Sequence, residues 1–307
     1  MATIATTLAR LGDPRRQLQH KELRQLSDIG RDAQPDFLVA WRGIELARRR
    51  EIAAALVALA EDNAEFDFRD VFSTLLSDAD AEVRAAAVGG LWEDERLSTL
   101  RLLLPMLADD PDSAVRAEVA LALGRFAYLA SLEELPAREA AAVRRALFAS
   151  ASNLDQPDEV RRRSIESLGY FEGDDVTAVI GQAYTSGRRA LKESALVAMG
   201  HSLDTRWLSV FEAELQSAEP ALRYEAARAS GEFGTEAEAM VPRLLLLAQG
   251  DDSEVAQAAI WALGQIGGEA ARRLLQRLTD SDDPMIQEAA EEALAELMLG
   301  DDTLGFF

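Results

Sequence analysis

Apolar residues recur along this chain at positions i, i+4, i+5 and i+8 of a ten-residue phrase that returns seven times, opening on an aliphatic residue and usually closing on Gly, three times as Leu-Gly. The copies begin at Val83, Val115, Val160, Leu191, Leu222, Val255 and Ile286. This spacing places one apolar stripe along one side of an α-helix. Three residues ahead of the anchor stand Asp80, Asp112, Glu219, Asp252 and Asp283. A carboxylate there caps free amides and suits the positive end of the helix. A second apolar stretch precedes most of these starts, at 68–76, 100–107, 176–184, 207–215, 240–248 and 271–278. Each unit therefore reads as two helices joined by an acidic turn. Gly173, Gly234 and Gly267 follow the phrase and read as left-handed helix ends. The glycines that close it (Gly124, Gly169, Gly200, Gly231 and Gly264) fall earlier and predict close approach of a neighbouring helix; Trp92 takes that place in the first copy, so that joint is expected to pack differently.

Successive anchors lie 32, 45, 31, 31, 33 and 31 residues apart. At such a period one unit cannot bury its own apolar face and relies on stacked neighbours. The helix pair, the acidic turn and the pattern V-R-x-x-A-x-x-A-L-G resemble the short HEAT repeats, of the kind found in phycobilisome-lyase-like proteins, over roughly residues 65–298. The resemblance implies an all-α fold, an α-solenoid (superhelix) of stacked antiparallel helix pairs. One domain over 1–307 is expected: a degenerate N-terminal cap and repeat over 1–64, seven repeats over 65–298 with an insertion near 126–157, and a tail over 299–307. Within the first part, 20–30 reads as a capping helix and 36–62 as an earlier unit. The insertion, drawn from 129–159 where Pro136 breaks the chain before an Ala/Arg helix, reads either as a loop that clamps a ligand or as a neutral extension. The tail GDDTLGFF reads as a docking segment or a frayed end.

Composition narrows the chemistry. Hydrophobic residues make up 48% of the 307 positions and aromatics 6%, with no cysteine, which excludes disulfides and thiolate metal sites. The net charge of -22 opposes polyphosphate binding, so no nucleic-acid partner is expected. No apolar run reaches membrane length, and the N-terminus lacks the pattern of a secretory signal; a cytoplasmic protein without a membrane partner is expected. Charge is uneven: residues 1–50 hold ten basic and six acidic side chains, whereas nine acids and no base follow Arg277. HEAT-like proteins include the family that hydroxylates deoxyhypusine, with repeated His-Glu pairs on two irons. Here the histidines are His20, followed by Lys21, and His201, followed by Ser202, so no metal, cofactor or catalytic residue is assigned.

Arg84, Arg116, Arg161, Lys192 and Arg223 each follow an anchor. The resemblance implies that they pair with the acidic turn of a neighbouring unit; a ligand-binding basic stripe is the other reading. Phrase positions 3, 4, 7 and 11 lie off the apolar stripe and form a ridge, which the resemblance places on a concave wall. Arg162, Arg163, Tyr170, Tyr224, Arg228 and Trp261 fall on it and are the candidate partner-binding residues, being of the types enriched in interface hot spots. The function expected is a non-catalytic scaffold or adaptor binding another protein or peptide segment with an apolar or acidic face. A bilin lyase-like protein or chaperone handling a tetrapyrrole-bearing partner is the alternative, and self-association of acidic and basic ends a third reading.

Overall fold

The computed structural model describes residues 3–63 and 65–304, and every regular element among them is helical. The chain divides into two compact units at Ser167 and Leu168. The first holds α1 (Ile4–Leu11), α2 (His20–Leu23), α3 (Gln34–Arg42), α4 (Leu46–Asp62), α5 (Arg69–Leu75), α6 (Ala81–Gly89), α7 (Leu97–Asp109), α8 (Ser113–Ser131), α9 (Ala137–Ser152) and α10 (Asp158–Leu168), on which it ends. The second holds α11 (Asp174–Thr185), α12 (Arg189–Ser202), α13 (Leu208–Glu214), α14 (Pro220–Glu232), α15 (Val241–Leu247), α16 (Ser253–Ile266), α17 (Glu269–Leu278) and α18 (Pro284–Leu304). The phenylalanines of the predicted tail lie outside the described residues.

The predicted stripe is the core. Val115, Val119, Ala120 and Leu123 of α8 are fully buried, as are Leu191, Ala195, Leu196 and Met199 of α12. Burying a Val, Leu or Met side chain this completely contributes about 1.5–3 kcal/mol, so each second helix is held by its neighbours more than by its own propensity. Four of the five turn acids cap as expected: Asp80 accepts from the Val83 amide at 3.2 Å, Asp112 from Ala114 at 2.8 Å, Asp252 from Val255 at 3.1 Å and Asp283 from Met285 at 2.9 Å. Glu219, one methylene longer, makes no cap bond and pairs with Arg189 at 3.1 Å. Gly173, Gly234 and Gly267 take φ of 134°, 54° and 78°, and Leu203 holds the corresponding left-handed position after α12 at 48°.

The closing glycines sit where the next second helix comes close. A Cβ on Gly169 would stand 2.5 Å from the Ala198 carbonyl oxygen, and one on Gly264 2.8 Å from that of Ala293. Where Trp92 replaces glycine, α6 stops a turn early and the indole turns out, 56% exposed. Close contact passes instead to Gly90, whose Cβ would meet the Phe72 ring at 2.5 Å.

The cations after the anchors turn toward the protein as a ladder, but of the five only Arg84 pairs with an acid in the turn of a neighbouring unit; the others bind carbonyls, an amide or a carboxylate within a helix. Arg84 donates to both oxygens of Asp110 at 2.8 Å and to the Asp78 and Ala79 carbonyls at 2.9 and 3.1 Å. Arg116 reaches the Asp110 carbonyl and the Gln156 side chain, Lys192 pairs with Glu214 at 2.7 Å, and Arg161 and Arg223 donate to carbonyls. Tyr184 donates to the same Glu214 at 2.5 Å; burial, then this carboxylate, push its phenol above the usual range. One rung was hidden in the sequence. Arg48, Ile52, Ala53 and Leu56 of α4 are buried at the stripe spacing, with an arginine as the anchor. Its guanidinium enters the core because it can donate to the Leu11 and Arg16 carbonyls at 2.5 and 2.8 Å. Arg49 then stands where Arg84 stands in the next unit and binds Asp78 at 2.6 and 2.8 Å, which makes α3 and α4 a full unit.

Two expectations about connections need correcting. The extra residues of the 45-residue interval are mostly helical: α8 runs on to Ser131 and α9 occupies Ala137–Ser152, leaving 132–136 as the connection. Phe126 and Ala127 prolong the buried stripe of α8, so nothing ends the helix at Gly124. The capping helix over 20–30 shrinks to α2 and a 3-10 turn at Arg24–Leu26, and α1 supplies the other N-terminal layer.

The acidic partners of these cations carry a pH dependence. Hydrogen bonds from Arg50 and Arg69 hold Asp80 and Asp67 below the usual carboxylate range. For Asp94 and Asp110 burial alone pushes upward, but bonds from Arg96 and Thr99 to the one, and from Arg84 to the other, outweigh it. A carboxylate depressed in the folded state stabilises it above the unfolded value of about 3.9, and that contribution is lost as pH falls through the folded value. All four lie between 67 and 110, so acidification below about pH 4 should loosen the first unit ahead of the second. Hydrogen exchange at descending pH reads this directly, and earlier opening of α11 to α17 would contradict it.

Candidate partner-binding face

In the second unit the successive second helices α14, α16 and α18 pack side by side. Small residues allow this: Gly231 leaves the space that the Trp261 ring occupies, and Gly264 lets α16 rest on the Ala293 backbone of α18. Between the three helices runs an open groove of about 570 Å³. Tyr224 and Arg228 line it from α14, Glu254, Gln257 and Trp261 from α16, and Glu292 and Glu296 from α18, over a floor of Ala258, Ala289 and Ala293.

Tyr224, Arg228 and Trp261, picked from the ridge by sequence alone, thus meet in one groove. The Arg228 guanidinium carbon lies 3.7 Å from the Trp261 ring centroid, well within the roughly 6 Å over which a cation is attracted to an aromatic face. The Tyr224 side chain is exposed, and Trp261 is half-buried with its inner edge against Gly231. Ridge side chains at equal phrase positions pair in two other places: Tyr170 stacks on His201 at 4.2 Å and 11°, and the Gln265 amide donates to Glu296.

Arg162 and Arg163 belong to the first unit. Arg162 pairs with Glu159 at 2.9 Å, and Arg163 with Glu159 and Glu166, both at 3.1 Å. Their charge is therefore partly spent within α10. In the groove the balance is reversed. Glu254, Glu292 and Glu296 face it, with Arg228 as the one cation among the lining residues. The ridge pattern already held Glu292 and Glu296. Glu254 precedes its anchor by one residue and was missed, since it lies in the first turn of α16, outside the phrase.

A likeness to known proteins fits this architecture. No curated protein sequence matches the chain. Among solved structures, the CpcE and CpcF complex of the phycocyanin lyase from Nostoc sp. PCC7120 superposes with a TM-score of 0.50 at 17% identity, over 75% of this chain and 94% of that one. Human deoxyhypusine hydroxylase gives 0.38 at 17% identity over 96% and 97%, and Kap95p bound to RanGDP gives 0.49 at 14% over 95% and 44%. The Nostoc match speaks for a shared fold. Among the described residues no helix is long and apolar enough to cross a membrane. The family model for HEAT repeats matches residues 68–153 and 208–295, more than half the sequence, and with its stacked helix pairs and ladder of turn-binding cations the chain belongs to the HEAT-repeat family.

Proposed function

We propose that this HEAT-repeat chain is a non-catalytic scaffold that binds a segment of another protein on the second-helix face of its second unit, with Tyr224 and Trp261 as anchors and Arg228 lining the groove beside them. The observation that carries the reading is the convergence of those side chains on one groove in a chain with 6% aromatics. Trp, Tyr and Arg dominate interface hot spots because each places a large rigid surface against a partner at low entropic cost. Helices held backbone to backbone at Gly264 form a platform that needs little ordering on binding. Tyr170, backed by His201, extends the face, while Arg162 and Arg163, which belong to the first unit, carry small individual weight as partner contacts because Glu159 and Glu166 already engage them.

Affinity capture from the native organism, with the wild-type chain beside a Tyr224→Ala, Arg228→Ala, Trp261→Ala variant, tests the proposal. A partner bound through this face should be retained at least roughly 30-fold less by the variant, the loss expected for hot-spot side chains. Recovery of the same proteins by both chains removes the face from consideration.

A further inference from the structure

Resting on that reading, we infer that the segment seated in the groove presents a lysine or arginine side chain, and that Arg228 is an internal stand-in which this cation displaces from the Trp261 ring. The lining charges point this way. Among the described residues Glu254 and Glu292 have neither an ion pair nor a hydrogen bond, and the partner recorded for Glu296 is the neutral amide of Gln265. α18 cannot balance them, since no Lys or Arg follows Arg277. Among the lining residues Arg228 is the one cation, and it lies over the indole, 3.7 Å from the ring centroid. The ring and the carboxylates therefore ask for the same chemistry, an elongated apolar stem ending in positive charge.

Other occupants fit less well. An acidic segment would meet three carboxylates and a single guanidinium that is already engaged. A wholly apolar segment would strip water from those carboxylates and return no hydrogen bond. A second copy of the chain would bring its own net charge of -22 against this one. A basic side chain instead can run its stem over the alanine floor and the Tyr224 ring, with its head between Trp261 and the glutamates. The acidic field of the whole chain then steers the encounter.

Fluorescence anisotropy on the intact chain tests this with labelled peptides of equal length whose centres are Arg-Lys-Arg, Glu-Asp-Glu or Leu-Ala-Leu. The basic peptide should bind best and weaken with salt. A Glu254→Gln, Glu292→Gln, Glu296→Gln variant should lose roughly tenfold, as expected of three solvent-exposed ion pairs. A Glu61→Gln, Glu93→Gln, Glu134→Gln variant, which removes as much charge from the first unit, should lose almost nothing. Arg228→Gln should bind the basic peptide several-fold more tightly, because both a competitor and a repelling charge are gone. Preference for the acidic or apolar peptide, equal losses from the two glutamine variants, weaker binding by Arg228→Gln, or no saturable binding up to millimolar peptide would each overturn the inference. Should the peptides fail while cellular partners are still lost with Tyr224, Arg228 and Trp261, the partner-binding face stands and only its preference for a cation falls.

Discussion

Arg84→Ala is expected to cost the first unit about 3–5 kcal/mol, the range for removing one member of a buried ion pair. The Arg84 and Asp110 side chains are 10% and 5% exposed, and truncation leaves the carboxylate buried with the Asp112 amide as its remaining donor. Two carbonyls, of Asp78 and Ala79, lose a donor as well. Arg223→Ala removes the corresponding cation from the second unit, where the guanidinium binds the Ser217 and Ala218 carbonyls and no carboxylate. Its cost should be near 1 kcal/mol, that of an ordinary hydrogen bond. Urea unfolding of both variants, followed by circular dichroism, makes the comparison. Equal losses would mean that the ladder works through its carbonyl bonds and that the Asp110 pair adds nothing. Replacing the pair together, Arg84→Met with Asp110→Leu, should recover much of the stability, since no charge is then left buried.

Gly169→Ala should be the most damaging single-methyl change in the second unit, at about 3 kcal/mol, because overpacking into backbone cannot be relieved by turning a side chain. All three nearest atoms are backbone atoms of Ala198, at 2.5, 2.7 and 2.9 Å from the added Cβ. Gly200→Ala supplies the control. Its Cβ would meet Ala229 at 3.2 and 3.3 Å, which a shift of a few tenths of an ångström relieves. Gly200 lies within α12, where alanine gains about 1 kcal/mol of helix propensity over glycine, so the change should come out near neutral. Similar thermal midpoints for the two variants would show that these helices slide apart easily. The rigid platform proposed for partner binding would then lose its support.

The origin of the groove explains which of its features were legible. Tyr224, Arg228 and Trp261 were found because they occupy phrase positions whose direction is set by helical geometry alone. Their meeting was not legible, since it depends on Gly231 leaving space for the indole and on how far α16 is offset from α14. The charge free to act in the groove was not legible for a related reason. The ridge read from sequence suggested a partner with an apolar or acidic face, whereas Arg162 and Arg163 are engaged by Glu159 and Glu166, and Arg228 by an aromatic ring. Glu254, outside the phrase, completes the acidic wall from the first turn of its helix.

Hydrophobic periodicity by itself determined the helix pairs, the capping acids and the stacked repeat architecture, because each is a local consequence of 3.6 residues per turn repeated at a fixed interval. It failed where a residue changed its role. Arg48 anchors a unit in place of an aliphatic residue, and the 45-residue interval, read as either a clamping loop or a neutral extension, lengthens helices instead of forming a long loop. Only the tertiary structure decided which side chains meet across neighbouring units: Arg84 with Asp110, Tyr170 with His201, Arg228 with Trp261. Those contacts span about one repeat in sequence, and they are set by the close approach that glycine permits, by rotamer and by helix offset, none of which a single helix encodes.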